Sequence, residues 1–289
     1  MKAAPFDYVR VESLEELFSL MGAIGDDALI LAGGQSLVPA MAMRMARPRL
    51  LLDVNHIPGL SGVTLGDSAL HIGALTRYHE LAASPEIARH APLIAAAVPL
   101  IAHEAIRSRG TLGGNIAHAD PASEMPAVLL ALDATIHAES GQGGRTIPAC
   151  DFFLGTYETA LAPGEIVRSV SIPRPQRAER SAIDEVVRRA GDYAMAGAAI
   201  RLVAEAGRVA EARIALFGVA DRALRCAPAE EALRGAEIAA LPIEEAVAAL
   251  RDALEPLADL HAGAATKRHL AGVVTGRLLA GLQEEHENG

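Results

Sequence analysis

The sequence has few cysteines, few aromatic residues and no long apolar run. Two cysteines, Cys150 and Cys226, cannot supply a disulfide framework or a metal–thiolate cluster, and a reducing compartment fits best. Tryptophan is absent and aromatic residues are 3% of the chain, so stacking platforms for single-stranded nucleic acid have little to build on. The apolar stretches at 93–102 and 128–134 are too short to cross a bilayer, and we expect no membrane insertion.

Basic residues are also in the minority. The 36 acidic and 26 basic residues give a net charge of −10, which argues against a nucleic-acid-binding surface. Asp7, Arg10 and Glu12 interrupt the N-terminal segment, so we expect no secretory signal and a cytoplasmic location. A length of 289 residues with 51% hydrophobic content predicts a globular chain of about two domains.

Residues 1–56 have the pattern of a compact β/α unit. Ser13 and Glu16 form a capping-box pattern before apolar residues at helical spacing, which predicts a first helix that runs up to Gly22 and Gly25. The elements expected after it are a strand at 29–31, a helical or irregular stretch at 37–45 and a strand at 50–54. A glycine string, Ala32-Gly33-Gly34-Gln35-Ser36, follows the first of these strands and therefore lies at its carboxyl end.

Residues 57–176 combine short strands with apolar helices. The expected elements are a hairpin of 63–65 and 70–72, a helix capped by Thr76, an apolar helix from 91 to about 105, and strands at 129–138 and 145–148. Gly141-Gln142-Gly143-Gly144 supplies the turn between the last two strands. A second glycine string, Thr111-Leu112-Gly113-Gly114-Asn115, follows the apolar helix.

A break in composition occurs at Pro173-Arg174-Pro175, where the prolines disrupt both helix and sheet. We place a domain boundary there, which gives domains at 1–176 and 177–289, the first with subdomains at about 1–56 and 57–176. The elements predicted in the second domain are three antiparallel strands at 183–188, 196–204 and 209–219 and helices at 229–233, 242–254 and 266–283. The fold class is therefore α+β.

The two glycine strings, at 32–36 and 111–115, are the most informative feature of the chain. A pyrophosphate needs backbone N–H groups closer than a Cβ would allow, so paired glycines beside small hydroxyl or amide side chains predict a dinucleotide site. A single Gly-Gly pair is as often an ordinary strand-to-helix turn. No Lys-Ser/Thr follows the first string and a third glycine is missing, which disfavours nucleoside triphosphate hydrolysis.

The strings and several further segments together resemble one known family. These segments are Leu52-Asp53-Val54-Asn55, Asp120-Pro121, Phe152-Phe153-Leu154-Gly155-Thr156-Tyr157 and Arg188-Arg189-Ala190-Gly191-Asp192-Tyr193. Over nearly its full length, the chain resembles the FAD-binding medium subunit of molybdenum hydroxylases, the xanthine dehydrogenase and aerobic carbon monoxide dehydrogenase family. The resemblance implies a PCMH-type FAD-binding fold of two α/β subdomains, followed by a C-terminal domain with a three-stranded antiparallel sheet and helices.

The resemblance also implies which residues contact FAD. The two strings would hold the pyrophosphate and neighbouring ribityl atoms, and a carboxylate would lie near the adenosine half. Other residues would supply apolar contacts or approach the isoalloxazine ring. The residues implied for the pyrophosphate region are Leu29, Ile30, Leu31, Ala32, Gly33, Gly34, Gln35, Ser36, Thr111, Leu112, Gly113, Gly114 and Asn115. Those implied elsewhere are Glu124 for the adenosine half, Ile101, Leu161 and Val167 for apolar contacts, and Arg188, Asp192 and Tyr193 for the ring.

The chain departs from the family at one position. Many relatives carry a lysine just ahead of the Arg188-Arg189 pair, where this sequence has Asp184 and Glu185. A cationic contact to the flavin from this position is therefore in question.

The resemblance implies the FAD-containing electron-transfer subunit of an oxidoreductase. A small iron–sulfur subunit and a large molybdopterin subunit would be its partners, in a dimer of heterotrimers. Electrons would pass from the iron–sulfur subunit through FAD to an external acceptor. The substrate and the acceptor, which could be NAD, a quinone or oxygen, stay open. The alternatives are a stand-alone FAD-dependent oxidoreductase of the same fold and a cofactor-free scaffold subunit.

Several other residues invite a chemical interpretation. His103, His118 and His137 are scattered and lack the spacing of a metal site, which favours structural or surface roles. Arg107 and Arg109 precede the second string and could neutralise a phosphate, although solvated charges at a helix end account for them equally well. No catalytic or metal-binding residue is predicted.

Overall fold

The described part of the computed structural model comprises residues 2–175 and 178–287. Its N-terminal unit, residues 2–56, is a parallel sheet with two helices. The elements are β1 (Asp7–Arg10), α1 (Leu14–Ile24), β2 (Ala28–Leu31), α2 (Leu37–Ala42) and β3 (Leu50–Asp53). The strand order is β1-β3-β2, and the central strand β3 is buried at every residue because both of its faces are covered.

The helix and strands predicted for residues 1–56 are present, together with one strand that the sequence did not indicate. The Ser13 hydroxyl caps α1 by accepting from the Glu16 amide at 3.1 Å, while the Glu16 carboxylate accepts from the Glu12 amide at 2.9 Å. Strand β1 was missed because three of its four residues are exposed, so it lacks the alternation of a half-buried strand.

The middle unit, residues 57–175, is built on a five-stranded antiparallel sheet in the order β4-β5-β10-β6-β7. Its sheet strands are β4 (Val63–Leu65), β5 (Ala69–Gly73), β6 (Thr135–Ser140), β7 (Gly143–Pro148) and β10 (Ile166–Pro173), with a separate ribbon of β8 (Phe153–Gly155) and β9 (Glu158–Thr159). The helices are α3 (Tyr78–Ala83), α4 (Pro85–His90), α5 (Pro92–Ala97), α6 (Glu104–Arg107), α7 (Leu112–His118), α8 (Glu124–Ala131) and α9 (Ala149–Phe152). The predicted hairpin of β4 and β5 is confirmed.

The helical boundaries of the middle unit differ from the prediction. The long helix expected at 91–105 is divided into α5 and α6, with Ala91 outside the helical region before Pro92 and Ala102 at φ +43°. Residues 129–131, expected as strand, belong to α8, because a fully buried helix carries the same unbroken apolar run as a buried strand. Thr76 does not cap α3: its hydroxyl bonds to the backbone of Gly62 instead.

The C-terminal unit, residues 178–287, packs three helices against an antiparallel sheet. Its elements are β11 (Glu179–Val186), β12 (Ala196–Glu205), β13 (Arg208–Phe217), β14 (Leu224–Arg225), α10 (Ala227–Leu233), α11 (Ile243–Ala253) and α12 (Ala264–Glu287). The three predicted strands and three predicted helices are present, and β14 adds a short fourth strand. The expected domain boundary, between 176 and 177, lies outside the described residues.

The middle and C-terminal units share an apolar interface. Helix α8 lies against the C-terminal sheet, and Ala199, Ala215 and Phe217 of that sheet belong to the same core as α8. Just after α8, the Asp133 carboxylate pairs with three arginines of the C-terminal sheet: Arg201 at 3.1 Å, Arg213 at 2.9 Å and Arg225 at 3.4 Å. Ion pairs therefore hold this end of α8 to the sheet.

Candidate functional site

The first glycine string forms an open turn after β2. Gly34 has φ +72°, a conformation that glycine favours, and the Gln35 side-chain amide donates to the Gly33 carbonyl at 2.9 Å. Within the described ranges, the backbone amides of Gly33, Gly34, Gln35 and Ser36 have no hydrogen-bond acceptor. Successive unpaired amides at a turn form a concavity suited to an anion.

The second glycine string caps and forms the first turn of α7, and its amides at residues 112–115 are already paired inside the protein. The acceptors are the Thr76 carbonyl for Leu112 at 3.0 Å, the Ala74 carbonyl for Gly113 at 2.7 Å, the Thr111 hydroxyl for Gly114 at 3.2 Å and the Thr111 carbonyl for Asn115 at 3.1 Å. Among the described residues, the first string therefore offers the run of free amides that the sequence pattern predicts for both.

The two strings lie side by side, and glycine is what allows this approach. A Cβ built on Gly33 would lie 2.4 Å from the Arg109 carbonyl oxygen and 2.8 Å from Gly110 Cα. A Cβ on Gly114 would lie 3.6 Å from the Ala32 side chain. Main chain packs on main chain at this point, so a larger residue at 33 would push the strings apart.

A cleft of about 310 Å³ opens beside the first string. Residues 31–35 line it together with Val38, Pro39, Asp53, Asn55 and Arg109. The cleft thus combines an apolar wall from the start of α2, polar groups from the end of β3 and a cation from the segment before α7. This composition suits a ligand with both an anionic and an apolar part.

Asp53 and Asn55 hold the first string in place. The Asp53 carboxylate accepts from the Tyr8 hydroxyl at 2.6 Å and from the Asn55 side-chain amide at 2.7 Å. Asn55 Nδ2 also donates to the Ala32 carbonyl at 2.9 Å. Burial works to raise the pKa of Asp53, but the hydrogen bonds from Tyr8 and Asn55 outweigh it and leave the pKa below its usual value. The carboxylate is therefore ionised at neutral pH.

The two arginines before the second string have different roles. Arg107 Nη1 donates to the carbonyls of Ile101 and Ala102, each at 2.8 Å, which fixes the loop before α6. The exposed Arg109 guanidinium has no hydrogen bond or ion pair to any residue in the described part of the chain, and it lines the cleft beside the unpaired amides. Arg109 is thus the one of the pair placed to meet an anion.

A group of buried oxygen atoms lies behind the strings. The ring of Tyr78 is 3.3 Å from a Cβ built on Gly110, and its hydroxyl is buried without a partner among the described residues. Glu124, at the first turn of α8, is 8% exposed. Burial, followed by the charge of Asp120, raises the pKa of Glu124 to about 7, although its own hydrogen bonds act in the opposite direction.

Two tyrosines and a carboxylate form the rim of this region. Tyr193 is 62% exposed, and Tyr157 stacks on His118 with ring centroids 4.7 Å apart. Partial burial of the side chain, then the negative charges of Asp120, Tyr157 and Glu124, raise the pKa of Tyr193 to about 12. Burial and Asp120 also raise the pKa of Tyr157. Asp120 thus links a tyrosine of the middle unit to one of the C-terminal unit.

The segment 103–110 joins the rim to the strings. At one end, Arg109 and Gly110 contact Gly33; at the other, the His103 ring packs on Gly191, where a Cβ would lie 2.3 Å from Cε1. Gly191 precedes Asp192 and Tyr193, which are expected near the isoalloxazine ring of the flavin. The segment 103–110 therefore connects these C-terminal residues to the strings.

The remaining expected residues have more distant positions. Ile101 and Val167 are buried in the core of the middle unit, and Leu161 is partly buried against it. Arg188 Nη1 lies 3.4 Å from His261 Nδ1, in the loop before α12. Leu29 and Ile30 lie within β2 and support the string from behind.

Sequence reasoning missed the parts of the site that depend on long-range contacts. No local sequence pattern pointed to Tyr78 or distinguished Arg109 from Arg107. Asp53 and Asn55, in contrast, belong to the motif at 52–55 and could have been named as supports of the string. His137 bonds to Ser171, which gives it a structural contact. The residues that the structure describes contain no cluster of histidine, cysteine, aspartate or glutamate fit for a metal ion.

Comparison with known proteins covers nearly the whole chain. The family described as the FAD binding domain in molybdopterin dehydrogenase matches residues 4–175, and the CO dehydrogenase flavoprotein C-terminal domain matches residues 181–282. This chain belongs to the FAD-binding medium subunits of molybdenum hydroxylases. The expected fold class, an FAD-binding part followed by a C-terminal domain, is confirmed, and so is FAD as the cofactor.

Proteins that are similar to this chain in sequence and fold are named as components of dehydrogenases. The 6-hydroxypseudooxynicotine dehydrogenase complex subunit alpha of Paenarthrobacter nicotinovorans is 41% identical, over 97% of this chain and 95% of that one. The carbon monoxide dehydrogenase medium chain of Hydrogenophaga pseudoflava is 38% identical, over 95% of this chain and 96% of that one. The fold is also similar to that of a carbon monoxide dehydrogenase structure from Hydrogenophaga pseudoflava, which lacks the Mo-pyranopterin moiety of its molybdenum cofactor. The TM-score is 0.94 and the sequence identity 39%, and the match covers 97% of this chain and 98% of that one. The chain is therefore a component of an oxidoreductase.

The site fits an FAD diphosphate on the evidence of its own geometry. Unpaired amides at the first string and the unpaired guanidinium of Arg109 face one cleft in the described part of the chain, which is the donor set that a diphosphate requires. In the described ranges, no helix is long and apolar enough to span a membrane.

Proposed function

We propose that this chain carries electrons through FAD within a molybdenum hydroxylase that also contains a small iron–sulfur subunit and a large molybdopterin subunit, assembled as a dimer of heterotrimers. Electrons pass from the iron–sulfur subunit to this flavin and then to an external acceptor. The observation that carries the proposal is the cleft at the first glycine string, with its free amides and Arg109. Relatives named as subunits of dehydrogenase complexes support the partnership.

The division of labour between chains follows from the sequence. An iron–sulfur cluster needs about four thiolates, whereas this chain has two cysteines, Cys150 and Cys226. Cys226 is buried, and burial is the largest cause of the raised pKa of both thiols. Neither thiol is activated as a ligand, so the clusters that feed the flavin belong on another chain.

Each part of the site has its own task in this proposal. The amides of Gly33, Gly34, Gln35 and Ser36 donate to the diphosphate oxygens, and Arg109 neutralises their charge. Asp53 and Asn55 keep the string rigid, so that the amides are oriented before FAD arrives. The second string and Gly33 provide close packing, which keeps water out from behind the diphosphate.

The C-terminal unit completes the site at its rim. Tyr193, with its exposed ring, covers the flavin end, and its phenol is protonated at neutral pH, as that of a tyrosine ordinarily is. When bound, FAD supplies the ability to accept electrons singly and release them in pairs. The protein groups around it set the electrostatic environment in which this happens.

The test uses the purified full chain and FAD. We expect one FAD per chain for the wild type, measured by flavin absorbance after removal of free nucleotide. Gly33→Val should lose FAD, because its side chain meets the Arg109 carbonyl. Gly22→Ala is the control, since a Cβ there meets no atom within 4 Å. Full flavin occupancy in Gly33→Val, matching Gly22→Ala, would refute the site.

A second arm tests the role in the complex. The isolated, flavin-loaded chain should accept electrons from a chemical reductant but oxidise no organic or gaseous substrate of the complex. Turnover of such a substrate by this chain alone would overturn the assignment as an electron-transfer subunit and favour a stand-alone oxidoreductase.

A further inference from the structure

The loop that joins β11 to β12 is held at its base by the C-terminal unit and the shared core. The Met195 amide donates to the Val186 carbonyl at 2.9 Å, and Ala194 is buried in the core shared with the middle unit. Near the start of the loop, Arg188 Nη1 lies 3.4 Å from His261 Nδ1, a contact within the C-terminal unit. None of these contacts reaches the tip of the loop.

The tip of this loop, which spans residues 187–195, is a tight turn on the surface. The Asp192 amide donates to the Arg189 carbonyl at 3.0 Å, and Gly191, the third residue of the turn, has φ +85°. A positive φ at this position favours glycine. Ala190 and Asp192 are exposed, whereas Gly191 between them is half-buried. A group from outside the loop therefore covers Gly191.

The covering group is the imidazole of His103, which belongs to the middle unit. A Cβ built on Gly191 would lie 2.6 Å from His103 Nδ1 and 2.8 Å from Nε2, and closer still to Cε1. The edge of the ring thus occupies the space that a side chain at position 191 would take. The ring makes no hydrogen bond to any residue that the structure describes. The contact is therefore one of packing, and it requires glycine at position 191.

The backbone that carries His103 is fixed on both sides. His103 is the N-cap residue of α6, and its carbonyl accepts from the amides of Ile106 at 2.9 Å and Arg107 at 3.0 Å. On the other side, the Arg107 guanidinium donates to the carbonyls of Ile101 and Ala102, each at 2.8 Å. The imidazole thus extends from a rigid support.

The same support reaches the first glycine string. Helix α6 is a single turn, and Arg109 and Gly110 follow it. Gly110 Cα lies 2.8 Å from a Cβ built on Gly33, so main chain packs on main chain there. The segment 103–110 therefore contacts the string at one end and the tip of the 187–195 loop at the other, and it sets the distance between them.

We propose that His103 is a positioning residue: its ring supports the tip of the 187–195 loop and thereby keeps Tyr193 over the flavin end of the site. The proposal rests on the proposed function, because it concerns the flavin of an FAD bound at the first string. Tyr193 is 62% exposed, so contacts within its own unit do not fix its ring. Without the His103 contact, the tip is held by its own turn alone, and the Tyr193 ring moves away from the flavin.

The first experiment compares the fluorescence of bound FAD in full-length variants at equal occupancy. A phenol ring that lies against a flavin quenches its emission by donating an electron, so Tyr193→Leu marks the unquenched level. His103→Ala should lose the quenching and approach that level. Its dissociation constant for FAD should change by less than about twofold, because the diphosphate contacts are untouched. His103→Phe keeps a flat ring at Gly191 and should keep most of the quenching.

A second set of variants tests the contact itself. Gly191→Ala places a methyl group where the edge of the His103 ring lies, so it should lose the quenching as His103→Ala does. Because both changes remove one contact, the double variant should resemble each single variant rather than their sum. Gly207→Ala is the matched control: Gly207 has φ +78° in the loop between β12 and β13, and a Cβ there meets no atom within 4 Å. It should keep the quenching.

Full quenching in His103→Ala would overturn the proposal, and so would a Tyr193→Leu variant that is as quenched as the wild type. Amide hydrogen exchange tests the loop without FAD. Exchange at the Asp192 amide should be faster in His103→Ala than in the wild type, because the turn has lost its support, and exchange at the Met195 amide should be unchanged. Equal exchange at Asp192 in the two proteins would show that His103 does not hold the tip.

The two proposals fail in different ways. If the chain binds no FAD, the proposed function fails and the role of Tyr193 at the flavin fails with it, while exchange at Asp192 still shows whether His103 holds the loop. If FAD binds at the first string and Tyr193→Leu loses the quenching but His103→Ala keeps it, the positioning role of His103 is wrong and the FAD site stands.

Discussion

At the scale of single residues, the cleft separates two arginines that look equivalent along the chain. Arg107 is held by the carbonyls of Ile101 and Ala102, whereas Arg109 stands at the cleft beside the free amides of the first string. A guanidinium whose donors are used inside the protein stabilises the fold, and one without partners is available to a ligand.

Arg109→Ala should weaken FAD binding without unfolding the chain. Loss of one hydrogen-bonded charge contact costs about 1.5–3 kcal/mol, which is roughly a 10- to 150-fold higher dissociation constant. The measurement is a fluorescence titration with FAD at low salt. Arg107→Ala is the comparison: we expect a lower melting temperature because the carbonyls of Ile101 and Ala102 lose their donor. Unchanged affinity in Arg109→Ala would remove Arg109 from the site.

At this scale the sequence indicated some features of the site and not others. It indicated both glycine strings, because paired glycines beside Ser, Thr, Gln and Asn that occur twice in one chain are typical of a nucleotide cradle. It could not show that the amides of Leu112 and Gly113 are paired with the carbonyls of Thr76 and Ala74, because these acceptors lie more than thirty residues away in the sequence, just after β5. Tyr78 carries no local pattern at all.

At the scale of elements, α8 connects the middle and C-terminal units. It is buried on all sides, and it has an acid at either end with very different surroundings. Such a helix has no polar stripe, so its sequence lacks the helical period that made α1 and α11 predictable. The burial of α8 on all sides therefore accounts both for the wrong strand prediction at 129–131 and for the large share of the interface that this helix provides.

Asp133→Ala should loosen the C-terminal sheet. It leaves Arg201, which is 7% exposed, and Arg213 with fewer acceptors, so we expect a loss of about 1.5–3 kcal/mol in the free energy of unfolding. Urea denaturation of the variant and the wild type measures this loss. Glu231→Ala removes an exposed pair with Arg234 and should cost less than about 1 kcal/mol. Equal losses in the two variants would mean that the Asp133 contacts contribute no more than a surface ion pair.

The loop before α12 should show an acid-dependent stability. Asp259 pairs with the buried Lys267 at 2.6 Å and accepts from the amides of His261 and Ala262. Burial works to raise the pKa of Asp259, but these contacts outweigh it and lower the pKa to about 2. Its contribution is therefore fully present above about pH 4 and is lost as the pH falls toward about 2.

Asp259→Asn should lower the melting temperature at neutral pH, and the difference from the wild type should shrink as the pH falls from about 4 to about 2. Asp252→Asn, an exposed aspartate of α11, should match the wild type throughout. A difference for Asp259→Asn that stays constant over this range would show that the loop does not depend on the charge of Asp259.

At the scale of the whole molecule, two of the units meet at the cleft. The N-terminal unit provides the free amides of the first string, and the middle unit provides Arg109. A ligand that contacts both units stabilises the folded chain by mass action. At an FAD concentration about a hundredfold above the dissociation constant, the gain is about 2.7 kcal/mol.

This linkage gives a prediction for thermal unfolding. Saturating FAD should raise the melting temperature of the full chain by several degrees, and Gly33→Val should show no rise. Adenosine monophosphate, which lacks the diphosphate, should stabilise the wild type much less than FAD does. An equal rise with both nucleotides would place the main contacts away from the first string.

The most direct measurement is a structure of the chain with FAD bound. We predict that the diphosphate oxygens accept hydrogen bonds from the amides of the turn formed by Gly33, Gly34, Gln35 and Ser36, at about 3 Å, with the Arg109 guanidinium beside them. A bound FAD whose diphosphate contacts neither that turn nor Arg109 would contradict the proposed site.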